Sequence, residues 1–369
     1  MKIAFIVASH MYPDRIGGAE IFTFRLAYEL SKKGHKVYII AFEGKKFRSK
    51  KFKNLILCGT ASNRIVKSIK ERSTLLARIM MIYHLIKIRP DVCLAVMLHS
   101  ALPAYIYSKI LKRKLIVRYS GGDVHFISKT KGSTREYIIA KTIFDRIKVE
   151  AIQIALSSDM KRDLIKLGAR EDKIVIIPNP IDEIFFKIKP NYEGGNIGFV
   201  GRLIERKGIK TLIDAFKILI KRYKSLKLIL IGDGPLKNKI IEEIKYTKMA
   251  NKIEITGFKP YSEIPNMLKE LSIFIFPAHY GEGSPNALLQ AMAAKLPIIA
   301  TNINGIRDLI KDGYNGILVP PGNPRKLSEA TAKLLRDKAL AMELGRNAYE
   351  IAKKYSIKNI IKKYEEIIR

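Results

Sequence analysis

The sequence contains no tryptophan, only two cysteines and half as many acidic as basic residues. Cys58 and Cys93 both lie within apolar runs, so neither a disulfide framework nor a cysteine-based metal site is supported, and buried thiols are expected. No stretch is long, uncharged and apolar enough to cross a bilayer, which takes about 20 residues. The opening residues MKIAFIVAS have the composition of a strand and not of a secretory signal, so we expect a cytoplasmic protein.

Basic residues outnumber acidic ones by 68 to 34, which gives a net charge of +34. Such an excess attracts anions, and the candidates are nucleic acid, an anionic membrane surface and a phosphorylated substrate. The charged surface of a thermophile explains the excess less well, because that surface normally carries acids in matching numbers. Nucleic acid is not expected as a partner, because the sequence shows no helix-turn-helix, zinc-finger or aromatic RNA-binding signature.

One basic segment, KKFRSKKFK at 45–53, places Phe47 and Phe52 among six Lys or Arg residues. Basic segments with aromatic anchors are typical of sites that lie on anionic lipid, although a solvated loop has the same composition. The membrane interpretation and the loop interpretation both remain open. The first implies a peripheral protein at the inner face of the membrane, with a lipid or lipid-linked acceptor. Further basic residues follow at Arg64, Lys67, Lys70 and Arg72.

Short Val, Ile, Leu and Phe runs alternate with amphipathic stretches of helical period, as in parallel sheets covered by helices. The pattern predicts an α/β fold in which helical segments such as 18–33 and 64–88 separate the strands. In the first half, strands are predicted near 2–8, 36–42, 55–58, 91–96, 114–119, 151–156 and 173–177. The pattern restarts at Asn196, with strands near 196–200, 226–231, 251–256, 272–276, 296–300 and 316–319.

A chain of 369 residues is too long for a single core, so two domains are expected. The segment 187–196 contains Pro190, Gly194 and Gly195 and is the predicted linker between an N-terminal domain, 1–187, and a C-terminal domain, 196–355. The last segment, 356–369, carries apolar residues on one helical face and is expected to pack on a domain, with the N-terminal domain as the candidate. Two doubly wound domains of this kind bind ligands at the carboxyl ends of their strands, in the cleft between them.

The segment PAHYGEGSPNALLQAM at 277–292 leads from an apolar strand into a helical pattern. Glu282 is expected in the loop at the end of the strand, and Pro285 in the first helical turn. Gln290 is expected about two turns into the helix, where its side chain can face the same ligand as that of Glu282. An ordinary capped helix with an exposed acid gives the same spacing. Backbone N–H groups at the helix start, where phosphate or sugar hydroxyls bind, are predicted for Gly283, Ser284, Asn286 and Ala287.

A second loop, in GFVGRLIERKG at 198–208, also follows a strand. Arg202 and Lys207 are spaced so that both can point into one cleft and neutralise a diphosphate, the Arg by its planar fork and the Lys as a point charge. In a chain this basic, an unrelated pair of cations is the competing interpretation.

Taken in order, several motifs resemble the C-terminal domain of glycosyltransferase family 4, whose members are retaining enzymes of the GT-B fold. They are GFVGRLIERKGIKTLIDAF, IGDGP at 231–235, ITGF at 255–258, EGSPNALLQAMAAKLPIIAT and DGYNGILVPPGNP at 312–324. In the N-terminal half, GGAE at 17–20 and the stretch from SSDMKR to IVIIPNPID at 157–182 also resemble that family. The resemblance therefore covers nearly the whole chain and implies two Rossmann-like doubly wound domains facing a central cleft.

The resemblance also implies roles for matching residues. Arg202 and Lys207 correspond to the pair that holds the donor diphosphate, and Glu282 to the acid that contacts the donor sugar. Gly17 and Gly18 correspond to the N-terminal loop that closes over the diphosphate. The helix start at Ser284, Asn286 and Ala287 corresponds to the part that meets sugar and phosphate, and Phe258 lies near the nucleotide base. No metal or other cofactor is expected, because cations and a helix N-terminus stabilise the leaving diphosphate.

Some positions depart from the family pattern. Gln290 replaces the second of two acids and still offers hydrogen bonds. Ser120 stands about where an imidazole is expected, which leaves Asp123, His125 and His99 as candidates for holding the donor sugar or the acceptor, with a turn-capping role open for Asp123. Asn179-Pro180 replaces Asn-Gly and is interpreted as a change in turn chemistry alone.

The sequence therefore predicts a hexosyltransferase that uses a UDP- or GDP-sugar and a lipid-linked, saccharide or other polar acceptor. A nucleotide-sugar-binding protein without catalytic activity is the alternative that Ser120 and Gln290 suggest. A nucleic-acid-binding protein is a further alternative, motivated by charge alone.

Overall fold

The computed structural model describes residues 1–7, 18–41, 54–59, 72–129, 134–247 and 249–369. Within these ranges, all strands predicted from the apolar runs are present, with ends that agree to within about two residues. The predicted helix at 18–33 runs from Gly18 to Lys32, and the helix predicted at 64–88 is described from Arg72 to Ile88. Residues 45–53, Arg64, Lys67, Lys70 and Gly17 lie outside the described residues.

In the described part of the first half, seven parallel strands form one sheet in the spatial order β3-β2-β1-β4-β5-β6-β7. The chain runs outward from β1 to β3 and then crosses to β4 on the other side of β1, so the strand order reverses between β1 and β4. The strands are β1 (Lys2–Val7), β2 (Lys36–Ala41), β3 (Leu55–Gly59), β4 (Val92–Val96), β5 (Lys114–Arg118), β6 (Ile152–Ala155) and β7 (Ile174–Ile176). The helices are α1 (Gly18–Lys32), α2 (Arg72–Ile88), α3 (Ala101–Ile110), α4 (Gly121–Lys129), α5 (Arg135–Ile147) and α6 (Ser158–Lys166).

The second half repeats the plan, and its described residues contain six parallel strands in the order β10-β9-β8-β11-β12-β13. The strand order reverses between β8 and β11, the position at which doubly wound folds bind their ligands. The strands are β8 (Asn196–Val200), β9 (Lys227–Ile231), β10 (Ile253–Gly257), β11 (Ile273–Phe276), β12 (Ile298–Thr301) and β13 (Ile317–Val319). The helices are α7 (Ile209–Leu219), α8 (Lys237–Lys245), α9 (Ile264–Lys269), α10 (Asn286–Ala293), α11 (Pro324–Arg336), α12 (Lys338–Ala352) and α13 (Ile357–Ile368).

The chain divides into two compact units, residues 1–178 with 361–369, and residues 179–360. The division falls before the linker predicted at 187–196, because Ile181, Phe185 and Ile188 are buried in the core of the second unit. Apolar side chains fix that boundary, whereas the Pro and Gly residues further on mark only a turn.

The last residues of α13 belong to the first unit. Tyr364 is fully buried there, with its ring centroid 5.8 Å from that of Phe22. Lys33 forms an ion pair with Glu365 in the same unit. The apolar face of the C-terminal segment therefore completes a core to which residues from the start of the chain also contribute.

The two cysteines differ in their surroundings. Cys93 on β4 is buried, and burial raises the pKa of its thiol to about 12, so it stays protonated and packs as a small apolar group. Cys58 on β3 is half-buried, contrary to the prediction that both thiols are buried. Among the described strands, β3 is at the edge of its sheet and has a neighbouring strand on one side.

Candidate functional site

The loop after β8 brings two cations to the carboxyl edge of the second sheet. Arg202 is exposed to solvent, whereas the Lys207 side chain is only 13 % exposed. The backbone N–H of Leu203 donates to the carbonyl oxygen of Asp233 at 2.9 Å, which ties this loop to the loop after β9. The predicted pair therefore lies at the end of one strand, on a loop held in place by its neighbour.

The loop after β11 supplies the acid. The Glu282 side chain is 7 % exposed, and its Oε1 atom lies 2.8 Å from Lys207 Nζ and 2.8 Å from Arg206 Nη1. Arg206 also donates to the carbonyl oxygen of Gly281 at 3.2 Å. Glu282 is therefore held by two cations, and the buried carboxylate remains paired.

Sequence reasoning missed Arg206, although it stands next to Lys207. Its carbonyl oxygen accepts a hydrogen bond from the backbone N–H of His279 at 2.8 Å, so Arg206 connects the two site loops through both backbone and side chain. The sequence does show two adjacent cations in the triplet ERK and a single acid in the loop after β11. Spacing along the chain could not show which of the two cations would reach Glu282.

Burial dominates the electrostatics of Lys207. It lowers the pKa of the ammonium group, the Glu282 carboxylate opposes that change, and the charges of Arg206 and Arg202 act in the same direction as burial. The ammonium also lies 4.8 Å from the centroid of the Phe276 ring, a favourable cation–π position. Two cations on one carboxylate, with Arg202 near Lys207, leave a net positive charge at this loop pair, which suits an anionic ligand.

The close approach of the two loops depends on Gly208. Its φ is +70°, and a Cβ atom built there would lie 1.9 Å from the carbonyl oxygen of Pro277, well inside contact distance. Only glycine combines this backbone conformation with that distance. The residue that follows Lys207 therefore sets how closely the cation loop can approach the Glu282 loop.

Helix α10 starts directly beside the acid. Pro285 is its N-cap, with φ −70° and ψ 119°, and Asn286 is the first helical residue. Pro285 has no side-chain oxygen that could cap the helix, and the first bond of the helical ladder joins the N–H of Leu289 to the carbonyl oxygen of Pro285. The backbone N–H groups of Asn286 and Ala287 precede that bond, at the positive end of the helix.

Two predictions about this helix were wrong in register. Pro285 precedes the first turn, because its extended ψ belongs to a cap and not to a helix. The helix begins at Asn286. Gln290 therefore lies about one turn into it, because about half of the eight residues that separate it from Glu282 belong to the loop and the cap and not to the helix. Gln290 is 7 % exposed.

The Ser284 side chain is positioned by Asn179. The Ser284 hydroxyl accepts from the backbone N–H of Asn179 at 3.0 Å, and the Asn179 side-chain amide donates to the Ser284 carbonyl oxygen at 2.6 Å. Both residues are buried. Asn179 therefore fixes the segment between Glu282 and α10, which the interpretation of Asn179-Pro180 as turn chemistry alone had missed.

Phe258 follows β10 and is 52 % exposed, so part of the residue is open to a ligand. The Asp233 carboxylate orders the neighbouring turn, because it accepts a hydrogen bond from the backbone N–H of Gly234 at 2.7 Å. Hydrogen bonds from the N–H of Gly234, from Lys237 and from the N–H of Phe258 lower the pKa of the Asp233 carboxyl. Phe258 is thus held at the same sheet edge as the cation loop.

The candidates in the N-terminal unit have a different arrangement. The backbone N–H of Ser120 donates to Asp123 Oδ2 at 2.8 Å, and the N–H of Asp123 donates to Ser120 Oγ at 3.3 Å, which is the reciprocal pattern of a capping box at the start of α4. Burial raises the pKa of the Asp123 carboxyl, while the Ser120 hydrogen bonds and the nearby His99 oppose that change. Asp123 therefore caps a helix, the second of the two roles predicted for it.

The two histidines of the N-terminal unit are placed separately. His99 is exposed in a single 3₁₀ turn after β4, and His125 is half-buried on α4. Gly18 is the first residue of α1. His99 lies within electrostatic reach of Asp123.

Among the described residues, no three His, Cys, Asp or Glu side chains are grouped so that they could hold a metal ion. The described helices also include none with the length and apolar character that a membrane crossing requires.

Both halves of the chain match models of known protein families. Residues 16–184 match the family model described as Glycosyltransferase Family 4, and residues 180–351 match the model described as Glycosyl transferases group 1. An uncharacterized glycosyltransferase of Methanocaldococcus jannaschii is 29 % identical over 277 residues, which is 73 % of this chain and 74 % of that one. The capsular polysaccharide biosynthesis glycosyltransferase CapM of Staphylococcus aureus is 29 % identical over 53 % of this chain and 54 % of its own length.

Among solved structures, the Anabaena protein HepE in complex with UDP-glucose superposes with a TM-score of 0.80 at 19 % identity, covering 99 % of this chain and 98 % of that one. That likeness shows the fold, two parallel α/β sheets with their helices as in GT-B enzymes. With the two family models covering residues 16–351 between them, the chain belongs to the glycosyltransferases of family 4, with the GT-B fold.

Proposed function

We propose that this protein is a retaining hexosyltransferase that uses a UDP- or GDP-sugar as donor and a lipid-linked, saccharide or other polar acceptor. One observation carries the proposal. Lys207 and Arg206 contact Glu282 at the carboxyl edge of the second sheet, α10 begins shortly after Glu282 in the chain, and Arg202 is exposed near Lys207. This arrangement supplies positive charge for a diphosphate next to a carboxylate for sugar hydroxyls.

The leaving diphosphate is stabilised by Arg202, Lys207 and the N–H groups at the start of α10. Negative charge grows on the diphosphate as the bond to the sugar breaks, and fixed cations with aligned dipoles stabilise that charge without reorganising. When Lys207 turns from Glu282 to a phosphate, Arg206 stays on the carboxylate. Glu282 then keeps one cationic partner and its orientation toward the sugar.

Retention is proposed from the resemblance to family 4, whose members are retaining enzymes, and the surroundings of Glu282 bear on the route. Glu282 is the one acid of the segment 277–287, and it is paired with two cations, which makes it a sugar ligand and not a nucleophile. Departure and attack on the same face of the sugar, assisted by the diphosphate, therefore fit better than a double displacement through two carboxylates.

Independence from metal ions follows from the same cations, which take the place of a divalent ion on the diphosphate. Transfer is therefore expected to continue unchanged in excess EDTA. Two measurements separate an enzyme from a binding protein without activity: the release of nucleoside diphosphate from UDP- or GDP-sugars, and the binding of the same donors. Binding without release would favour that alternative.

The relatives support glycan biosynthesis as the setting. HepE has been solved with UDP-glucose, and CapM is described as an enzyme of capsular polysaccharide biosynthesis. A lipid-linked acceptor would agree with the basic composition of the segment 45–53.

We expect the segment 45–53 to bind anionic vesicles. Each Lys or Arg near an anionic surface contributes about 1 kcal/mol, so neutralising Lys45, Lys46, Lys50 and Lys51 together removes roughly 4 kcal/mol of attraction. Flotation with phosphatidylglycerol vesicles should show the loss, while donor affinity stays unchanged. Equal flotation of wild type and the fourfold variant would show that this segment does not carry the membrane contact.

Arg206→Met is expected to separate sugar recognition from diphosphate binding. The variant leaves Lys207 as the sole cation on Glu282, so turnover of the nucleotide sugar should fall about tenfold, or roughly 1.4 kcal/mol, with little change in affinity for the nucleoside diphosphate. Arg206→Lys should recover part of the loss, and Arg222→Met, at an exposed arginine after α7, is the matched control. An equal fall in both quantities would instead make Arg206 a diphosphate ligand.

A further inference from the structure

Tyr280 is a half-exposed aromatic residue in the loop after β11, two positions before Glu282. It is 50 % exposed, whereas the side chains of Glu282 and its partner Lys207 are 7 % and 13 % exposed. No role was predicted for it from the sequence. A large ring that stays half in solvent beside a charged ligand site is a candidate contact for a ligand with both polar and apolar surface.

The backbone on both sides of Tyr280 is fixed by Arg206. On one side the N–H of His279 donates to the Arg206 carbonyl oxygen at 2.8 Å, and on the other Arg206 Nη1 donates to the Gly281 carbonyl oxygen at 3.2 Å. His279 Nε2 also lies 3.0 Å from Thr211 Oγ1, within hydrogen-bond distance of α7. The ring of Tyr280 therefore stands on an ordered loop, so little loop entropy is lost when a ligand packs against it.

The order of the strands places Tyr280 at the sugar end of a bound donor. The sheet runs β10-β9-β8-β11, with Phe258 after β10, the cation loop after β8 and Tyr280 after β11. Neighbouring strands lie about 4.8 Å apart, so β10 and β11 are separated by roughly 14 Å. A nucleotide with its base at Phe258 and its diphosphate at Arg202 and Lys207 therefore brings its sugar, and not its base, to the loop that carries Tyr280.

An aromatic ring at that end suits a hexose. The C–H groups on the face of a hexose carry partial positive charge, and the face of an aromatic ring carries partial negative charge. In the proposed function the nearly buried Glu282 takes the hydroxyls of the donor sugar. Tyr280 lies further toward solvent, where the second sugar, that of the acceptor, enters.

An acyl chain fits this place less well. Lipid chains need a continuous apolar surface, and the neighbours of Tyr280 in the loop are His279 and Gly281, followed by Glu282. One ring beside a carboxylate and cations matches a ligand that is covered with hydroxyls and has one apolar face.

We propose that Tyr280 is a platform for the sugar ring of the acceptor, so that the acceptor is a saccharide or ends in one. This inference rests on the proposed function and narrows the acceptor classes left open there. Tyr280 then contributes to affinity for the acceptor and not to affinity for the nucleoside diphosphate.

The chain contains no tryptophan, so Tyr280→Trp introduces a single fluorescent reporter at the platform. Tyr314→Trp, at a residue of the same unit that is 51 % exposed, is the matched control. Both proteins are titrated, with UDP and GDP present, with the methyl glycosides of glucose, galactose, mannose and N-acetylglucosamine. At least one glycoside should change the emission of the Tyr280→Trp protein saturably, and none should change that of Tyr314→Trp. No response to any glycoside, or an equal response in the two proteins, would overturn the inference.

Substitutions at Tyr280 measure what the ring contributes. By saturation-transfer NMR, Tyr280→Ala should bind the responding glycoside at least tenfold more weakly than wild type, and Tyr280→Phe, which keeps the ring, should retain the wild-type affinity. Affinity for UDP and GDP should be equal in all three proteins, which keeps a failure of this inference separate from a failure of the donor site. Equal glycoside affinity in wild type and Tyr280→Ala would refute the platform. A loss of nucleotide affinity in Tyr280→Ala would refute it as well, because Tyr280 would then be a donor contact.

Discussion

We expect Glu282→Gln and Arg202→Ala each to lose sugar transfer at least a hundredfold while the fold stays intact. Arg202 stands exposed near the largely buried Lys207, where a diphosphate can reach it from solvent. For Arg202, removing a group that stabilises developing negative charge typically costs about 3 to 4 kcal/mol of transition-state stabilisation. Glu282→Gln removes the carboxylate that binds the sugar hydroxyls. Initial rates of nucleoside diphosphate release measure the effect.

The two variants should differ in what they bind. Glu282→Gln keeps the size of the side chain but removes the charge that holds Arg206 and Lys207, so nucleoside diphosphate affinity should be kept or raised while transfer falls. Arg202→Ala should lower the affinity for the nucleoside diphosphate. Lys210→Ala, at an exposed lysine one turn beyond Lys207, is a control for the loss of a nearby cation. Near-normal turnover in either site variant would contradict the assignment.

Gly208→Ala should abolish transfer and destabilise the second unit. Because the added Cβ would meet the Pro277 carbonyl oxygen at 1.9 Å, one of the two site loops must move, and the Lys207–Glu282 contact moves with it. Gly313 is the matched control, with φ +72° and no atom within 4 Å of the position that a Cβ would take. Gly313→Ala should cost about 1 kcal/mol, from backbone strain alone.

Thermal unfolding and initial rates together measure the two glycine variants. At about 2 to 4 °C per kcal/mol, Gly313→Ala should lower the Tm by a few degrees and keep its activity. Gly208→Ala should lower the Tm further and reduce the initial rate of transfer at least a hundredfold. Equal behaviour of the two variants would show that the close approach of the loops does not matter to the site.

The alternation of apolar runs and amphipathic stretches was enough to predict the strands and the doubly wound class. A parallel strand buried on both faces needs a continuous apolar run, and such runs are visible without knowledge of the neighbours. The domain boundary was harder to place. Pro190, Gly194 and Gly195 mark a turn in the sequence, but the division before Asn179 is decided by whether Ile181 and Phe185 find a core, which is a tertiary fact.

The site shows the same limit. Loops at strand ends could be matched to Arg202, Lys207 and Glu282, because parallel strands bring their carboxyl ends to one edge. The second cation on Glu282 is Arg206, a contact across 76 positions of chain that no spacing reveals. The capping box of Ser120 and Asp123 has a local signature, Ser followed three residues later by an acid, and that signature favours a cap over a catalytic role.

Calorimetric titration with UDP, GDP and their sugars in the presence of EDTA tests the donor site most directly. We predict that one nucleoside diphosphate series binds the wild-type protein without metal, and that Lys207→Ala loses at least tenfold in affinity for the diphosphate of that series. No heat from any nucleotide, or equal affinity in wild type and Lys207→Ala, would contradict a donor site built on the loops that join Lys207 and Glu282.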